Sequence, residues 1–270
     1  MKFLMLILPI ILLFSVAMPL SHGQNAQYVI LIHGYNFEGI SSWQDWMSGV
    51  NIYSQLVSAG YIVGVVSYYG EFYINFSNGY SYSDPNFIGT INTPIENISY
   101  ELVNSLNNIF GGQYPSVSFV AYSMGGLVLS YAIENYNMNF QINSIVFMAT
   151  PFDGSPIANV ANYLGLNVGY QAYEMESGSS FIVNLQNNIY LLQGSYNITV
   201  IAGNYDPWWG NLFFNGDNDG AVSVASAESC PFNYSYIFPD LHSSSMDQFT
   251  LSGISYFEDQ NVANAIINSI

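Results

Sequence analysis

The stretch from Val117 to Val128 constrains this chain more than any other. Val117, Phe119 and Val120 make an apolar run that reads as a buried strand, and it stops at Ala121-Tyr-Ser-Met-Gly-Gly126. Leu127, Val128, Tyr131 and Ala132 take up helical spacing at once. A strand that turns into a helix about one serine, with very small residues two before and two after, has the form of a nucleophile elbow. The turn is so tight that a larger flanking side chain would collide, which accounts for Ala121 and Gly125. Ser123 is thereby aimed out of the top of a sheet, over a helix N-terminus that favours negative charge.

Continuous apolar runs at Tyr28–Ile32, Tyr61–Tyr68, Asn143–Ala149 and Asn197–Ala202, with a short one at Ser235–Phe238, read as further strands. A first helix is expected from Ser41-Ser42-Trp43 through Leu56. A second has Thr93 as N-cap, Pro94 at its first position and Glu96 completing a capping box. Its apolar face runs through Ile95, Ile98, Leu102, Leu106 and Ile109, and Gly111 ends it. Gln260–Ile270 reads as a closing amphipathic helix. Gly70–Gly89 is aromatic, Asn-rich and aperiodic, so it is expected to be a long surface loop bordering the site. Strands that alternate with helices imply an α/β fold, a mostly parallel sheet of about six strands covered on both faces.

Residues 1–23 read as a secretory signal peptide: Met1-Lys2, an apolar run from Phe3, and small residues Ser21 and Gly23 at a cleavage site. An uncleaved membrane anchor is the alternative. Residues 24–270 are then one domain of a size that supports a sizeable core. Lys2 is the only Lys or Arg, so the mature chain sets 18 carboxylates against His33 and His242. Such a chain does not bind nucleic acid by electrostatics. Its charge suits either an acidic medium, in which the carboxylates are neutral, or compositional drift in an exported protein. Cys230 is the only cysteine, which rules out an internal disulfide. Sequons begin at Asn75, Asn97, Asn197 and Asn233, which would carry glycans in a host that glycosylates.

A serine hydroxyl needs a base, and the base needs a third group to orient it. His242 follows the last expected strand, whereas His33 ends the first and reads as a brace for its loop. The acid is open among Asp206, Asp217 and Asp219, all beyond the strand that ends near Gly203. An oxyanion hole needs backbone N–H groups: Met124 follows the nucleophile, and Tyr35 follows Gly34 in the loop after the first strand.

These residues carry a resemblance. I-L-I-H-G-Y at 30–35, A-Y-S-M-G-G at 121–126, A-T-P-F-D-G-S at 149–155, M-E-S-G-S-S-F at 175–181, D-G-A-V-S-V-A-S-A at 219–227 and His242 together resemble a lipase of the α/β-hydrolase superfamily. The blocks scatter over about residues 28–245. The resemblance implies the α/β-hydrolase fold, a cap or lid at 152–190 after the sixth strand, and Asp219 as the acid. It departs from the family at Phe152, where a histidine is usual, and in lacking a recognisable calcium pattern around His242. Leu164, Leu166, Val168, Tyr170, Phe181 and the Trp208-Trp209 pair would suit an acyl chain or simply belong to the core.

The expectation is an exported serine lipase or esterase with Ser123, His242 and Asp219 as its triad, without cofactor or metal. Its partner is a lipid or small ester, with transient contact at a lipid interface allowed. An acyltransferase or thioesterase on the same triad is the rival enzyme. A glycosylated surface protein on a retired hydrolase scaffold is the rival from another class. A histidine base is protonated well below its reference pKa of about 6.5, so activity in strong acid requires that His242 be shielded.

Overall fold

The computed structural model describes residues 27–112, 115–163, 168–194, 196–244 and 253–270. The expected leader, 1–23, lies outside the described residues. Eight strands form one sheet: β1 (Gln27–Ile32), β2 (Ile62–Ser67), β3 (Gly70–Phe76), β4 (Ser81–Gly89), β5 (Ser116–Tyr122), β6 (Gln141–Met148), β7 (Asn197–Gly203) and β8 (Tyr234–Phe238). Their spatial order is β4-β3-β2-β1-β5-β6-β7-β8. Neighbours from β2 through β8 run parallel, while β3 and β4 turn antiparallel at one edge.

The strand count of about six is therefore corrected to eight, and 70–89 is a hairpin, not a loop. Phe72, Ile74 and Phe76 alternate with Glu71, Tyr73 and Asn75, and only the first set is buried. That two-residue period was masked by the Asn, Ser and Gly around it. Pro85 is tolerated because β4 is the sheet edge.

Alternation along β1 explains the two cores. Tyr28, Ile30 and Ile32 point to one face, where they join α2 (Ile95–Phe110), α3 (Met124–Asn135) and α6 (Ser180–Asn188). Val29 and Leu31 point to the other, against α1 (Ile52–Ser58) and α8 (Gln260–Ser269) through Leu56, Val262 and Ile266. The expected first helix is in fact a short 3₁₀ turn at Trp43–Met47 followed by α1, broken where Asn51 takes a left-handed conformation. Between β6 and β7 the chain forms α4 (Pro156–Tyr163), α5 (Gly169–Glu174) and α6. Phe181 here is core, stacked on Tyr131 at 5.7 Å, whereas Tyr170 is exposed; Leu164 and Leu166 lie outside the described residues. α7 (Val224–Ala227) is one short turn before β8.

The expected capping box at α2 does not form. Thr93 Oγ1 instead accepts from the Thr90 N–H at 2.9 Å. The Ile95 N–H is capped from far along the chain, by Glu174 Oε2 at 2.9 Å. Glu174 is buried and shares a hydrogen bond with Glu96, and desolvation followed by this neighbour raises its pKa to about 9.

Glu174 has company. Glu134 and Asp240 hold carboxylate oxygens that are buried without a hydrogen-bond partner among the described residues. Burial pushes Glu134 up to about 8, and burial together with Asp259, Asp219 and Glu258 pushes Asp240 up to about 7. With no Lys or Arg among the described residues, nothing offsets these charges. A carboxyl whose folded pKa is raised binds its proton more tightly in the native state. Its stabilisation is complete below the unfolded pKa and is lost as pH climbs through the folded one. His33, buried and lowered to about 4, acts the opposite way on the acid side, but it is one group against three. The midpoint of thermal unfolding should thus be higher near about pH 5 than near about pH 9, by roughly 5 °C or more. Scanning calorimetry across that range checks this; a midpoint that rises with pH would mean these carboxyls are ionised and well solvated in the fold.

Candidate active site

β5 delivers Ser123 at the point where the sheet meets α3. Its backbone is left-handed, φ 53° and ψ −127°, a conformation that costs a non-glycine residue energy and persists because its surroundings enforce it. The Ser123 N–H donates to Met148 O at 2.8 Å on neighbouring β6. A Cβ on Gly125 would come within 2.5 Å of His33 O and 2.7 Å of Ile32 O, and one on Gly126 within 1.9 Å of Thr150 Oγ1. The small residues let α3 press directly against the ends of β1 and β6.

The structure brings Ser123, His242 and Asp219 into one hydrogen-bonded line. His242 Nε2 lies 2.9 Å from Ser123 Oγ, and His242 Nδ1 lies 2.9 Å from Asp219 Oδ2. The arrangement is enclosed, with Asp219 1% exposed, Ser123 7% and the His242 side chain 12%. Asp219 is held from all sides. Its Oδ1 accepts the N–H groups of Ala221 and Val222 at 2.9 and 2.7 Å, and its Oδ2 also accepts from Tyr256 Oη at 2.8 Å. Its carbonyl receives the His242 N–H at 2.9 Å, so acid and base loops are joined through backbone as well. Tyr122, from inside the elbow, donates its hydroxyl to His242 O.

The other two acids stand apart from His242. Asp206 is exposed and braces a turn, its Oδ1 accepting the Asn218 N–H at 2.6 Å. Asp217 is exposed, and its carbonyl takes the Val224 N–H at 2.9 Å. His33 is buried beneath the loop that follows β1, stacked on Tyr68 at 3.9 Å, with Nδ1 bonded to Gly34 O at 2.8 Å. Phe152, where the resemblance would have a histidine, is fully buried edge-on to Phe147 at 5.1 Å. The segment around it supports the acid loop: Ser155 Oγ donates to Ala221 O at 2.6 Å and Ser226 Oγ to Gly154 O at 3.0 Å.

Tyr35 and Met124 sit where the elbow and the β1 loop face each other. A Cβ on Gly34 would lie 2.9 Å from Ser123 Cβ, so this loop passes immediately over the serine. As the first residue of α3, Met124 has an N–H with no intrahelical acceptor. The loop has a support that sequence reading missed. Tyr68 Oη donates to His33 O and Gly34 O at 2.5 and 3.0 Å. Tyr69 Oη accepts the Asn36 N–H at 3.3 Å and donates to Gln171 Oε1 at 2.6 Å. Gln171, fully buried on α5, anchors itself through Nε2 to Thr90 O and Thr93 O, both at 2.9 Å. Tyr35 Oη reaches Val168 O at 2.5 Å. Partners some 100 residues apart leave no local pattern; the Y-Y pair at 68–69, directly after a buried strand, was the available signal.

Among the described residues no group of three or more His, Cys, Asp or Glu is arranged to hold a metal ion. Chemically, the arrangement offers a hydroxyl next to an imidazole that a carboxylate orients. That is a set suited to acyl transfer.

A family model described as an α/β hydrolase of unknown function matches residues 100–249. No functionally curated protein matches the chain. Among solved structures, the mature form of the Bacillus licheniformis lipase BlEst2 superposes with a TM-score of 0.57 at 17% identity, covering 94% of this chain and 97% of that one. The chain spans only 53% of the same lipase in its propeptide form. The phospholipase PlaB from Legionella pneumophila superposes at 0.60 with 12% identity over 90% of this chain and 56% of its own. A lipase-esterase related protein from Clostridium acetobutylicum gives 0.52 at 14% identity, covering 92% and 96%. Identities this low establish the fold and nothing finer.

Proposed function

The chain belongs to an α/β-hydrolase family of unknown function, and on that premise we propose that it is a secreted serine carboxylic-ester hydrolase, a lipase or esterase. The observation that carries this reading is the unbroken line from Ser123 Oγ through the His242 ring to Asp219 Oδ2, with 2.9 Å at each step. The names of the structural neighbours, two lipases or lipase-related proteins and a phospholipase, support it. An apolar leader at 1–23 supports export.

In the proposed cycle, Ser123 Oγ attacks the ester carbonyl while His242 Nε2 takes its proton. The Nδ1–H of His242 stays on Asp219, which fixes the tautomer and stabilises the imidazolium as it forms. The N–H groups of Tyr35 and Met124 receive the oxyanion, Tyr35 from the β1 loop that Tyr68, Tyr69 and Gln171 hold in place and Met124 from the start of α3. The tetrahedral intermediate collapses as His242 returns the proton to the alcohol oxygen, leaving an acyl-Ser123. Water, deprotonated by His242, then releases the acid. The helices between β6 and β7 would act as the cap.

Hydrolysis of p-nitrophenyl esters from acetyl to palmitoyl tests this. Turnover is expected in the neutral range. Rising activity with acyl length would make the protein a lipase and a short-chain preference an esterase. Absence of turnover with every ester would contradict the proposal.

A further inference from the structure

A cleft of about 530 Å³ opens beside His242, within the range of small-molecule sites. His242 must return its proton to the departing alcohol, so whatever that oxygen carries lies on the side of this ring. The cleft, which His242 lines, is therefore placed on the alcohol side of an ester. Glu38 comes from the loop after β1, Asp45 from the 3₁₀ turn and Glu258 from the segment before α8, and all three line the same space. Tyr35, Tyr122 and Phe257 supply aromatic surface between them, with the last two rings edge-on at 5.0 Å.

Of these three carboxylates, Glu258 is held in place by its neighbours. Glu258 Oε2 accepts the Ser255 N–H and Oγ at 2.9 and 3.0 Å. The two walls meet in backbone contact, the Val50 N–H donating to Phe257 O at 2.9 Å, so the cleft is pre-formed. Burial pushes the Asp45 carboxyl up, as expected of a charge without a counterion. The described residues contain no Lys or Arg that could supply one.

Resting on the ester-hydrolase reading above, we infer that this cleft selects esters whose alcohol carries a cationic ammonium group. A cleft lined by one sign of charge concentrates ligands of the other sign, and a quaternary ammonium also packs favourably on aromatic faces. Esters whose alcohol bears a phosphate or carboxylate are excluded by the same field.

The test compares butyrylcholine with the uncharged dimethylbutyl butyrate of the same shape, in the wild type and in the double variant Asp45→Asn, Glu258→Gln. The kcat/KM ratio of the two esters cancels any difference in folded enzyme. At low ionic strength the wild type should favour butyrylcholine by about tenfold or more, and salt should lower that ratio by screening. The double variant should bring the ratio close to unity. A wild-type ratio near unity, or a high ratio that survives in the double variant, overturns the inference; hydrolysis of the neutral ester would leave the ester-hydrolase reading standing in both cases. If neither butyrate turns over, calorimetric titration with choline decides the pocket separately from the ester-hydrolase reading, which the acetyl-to-palmitoyl series decides. Saturable choline binding that the double variant weakens supports the pocket, and no binding to the wild type overturns it.

Discussion

Ser123→Ala is expected to lower kcat/KM for ester hydrolysis by about 10⁴-fold or more, since the residual rate comes only from the oxyanion donors and binding. The fold should barely register the change. Ser123 is buried and its hydroxyl makes one side-chain hydrogen bond, to His242 Nε2. Loss of a single such bond costs about 1 kcal/mol, or roughly 2–4 °C in the unfolding midpoint of a chain this size. Strain at φ 53° is much the same for alanine as for serine. Steady-state kinetics beside a thermal melt separate the two effects. A variant that keeps most of its activity removes Ser123 from the mechanism, and one that loses its fold makes the activity loss uninformative.

Asp219→Asn is expected to cost about 10⁴-fold in kcat, because an amide can offer the imidazole an N–H where a carboxylate accepted one, and the wrong tautomer then faces Ser123. Stability should fall as well, by about 1–3 kcal/mol. The Asp219 carboxylate accepts four hydrogen bonds, from His242, Tyr256, Ala221 and Val222, and an amide satisfies fewer. Asp206→Asn and Asp217→Asn serve as controls. Neither approaches His242, so each should leave kcat within about tenfold of wild type, far from the loss expected of a triad acid. Should Asp206→Asn or Asp217→Asn match Asp219→Asn in its loss, the assignment of the acid is wrong.

The parts of the fold that were legible in the sequence are those written in local pattern. The elbow was readable because a strand, a strained turn and a helix succeed one another within a dozen residues. The buried central strands were readable because a strand covered on both faces is apolar throughout. The edge hairpin at 70–89 was not, since only Phe72, Ile74 and Phe76 are buried and their alternation drowns in polar residues. Thr93, Pro94 and Glu96 matched a capping box that the fold does not use, because the carboxylate of Glu174 arrives from the segment between β6 and β7 to cap Ile95. A distant partner outcompeted a local one, and no local rule anticipates that.

Much the same division holds at the site. Residue order and motif narrowed the partners of Ser123 to His242 and three acids. Spacing alone did not separate Asp219 from Asp206 and Asp217. What separates them is geometry: Asp219 is buried with Tyr256 and two backbone N–H groups around it, while the other two are exposed. The Tyr68, Tyr69 and Gln171 support of the β1 loop was invisible because its members come together only in the folded chain.

Desolvated carboxyls without a countercharge give physical content to the idea of a protein suited to acid, but they act on stability and not on chemistry. Protonating Glu134, Glu174 and Asp240 relieves the fold, whereas protonating His242 removes the base. The fold therefore gains stability as pH falls from about 9 toward mild acid.

Covalent labelling tests whether Ser123 is an activated nucleophile without assuming a substrate. The folded wild type is treated with a fluorophosphonate and the modified peptide is located by mass spectrometry. One adduct is expected, on Ser123, and it should disappear in His242→Ala while that variant remains folded. A folded wild type that takes up no label, or takes it up at another residue, would contradict it.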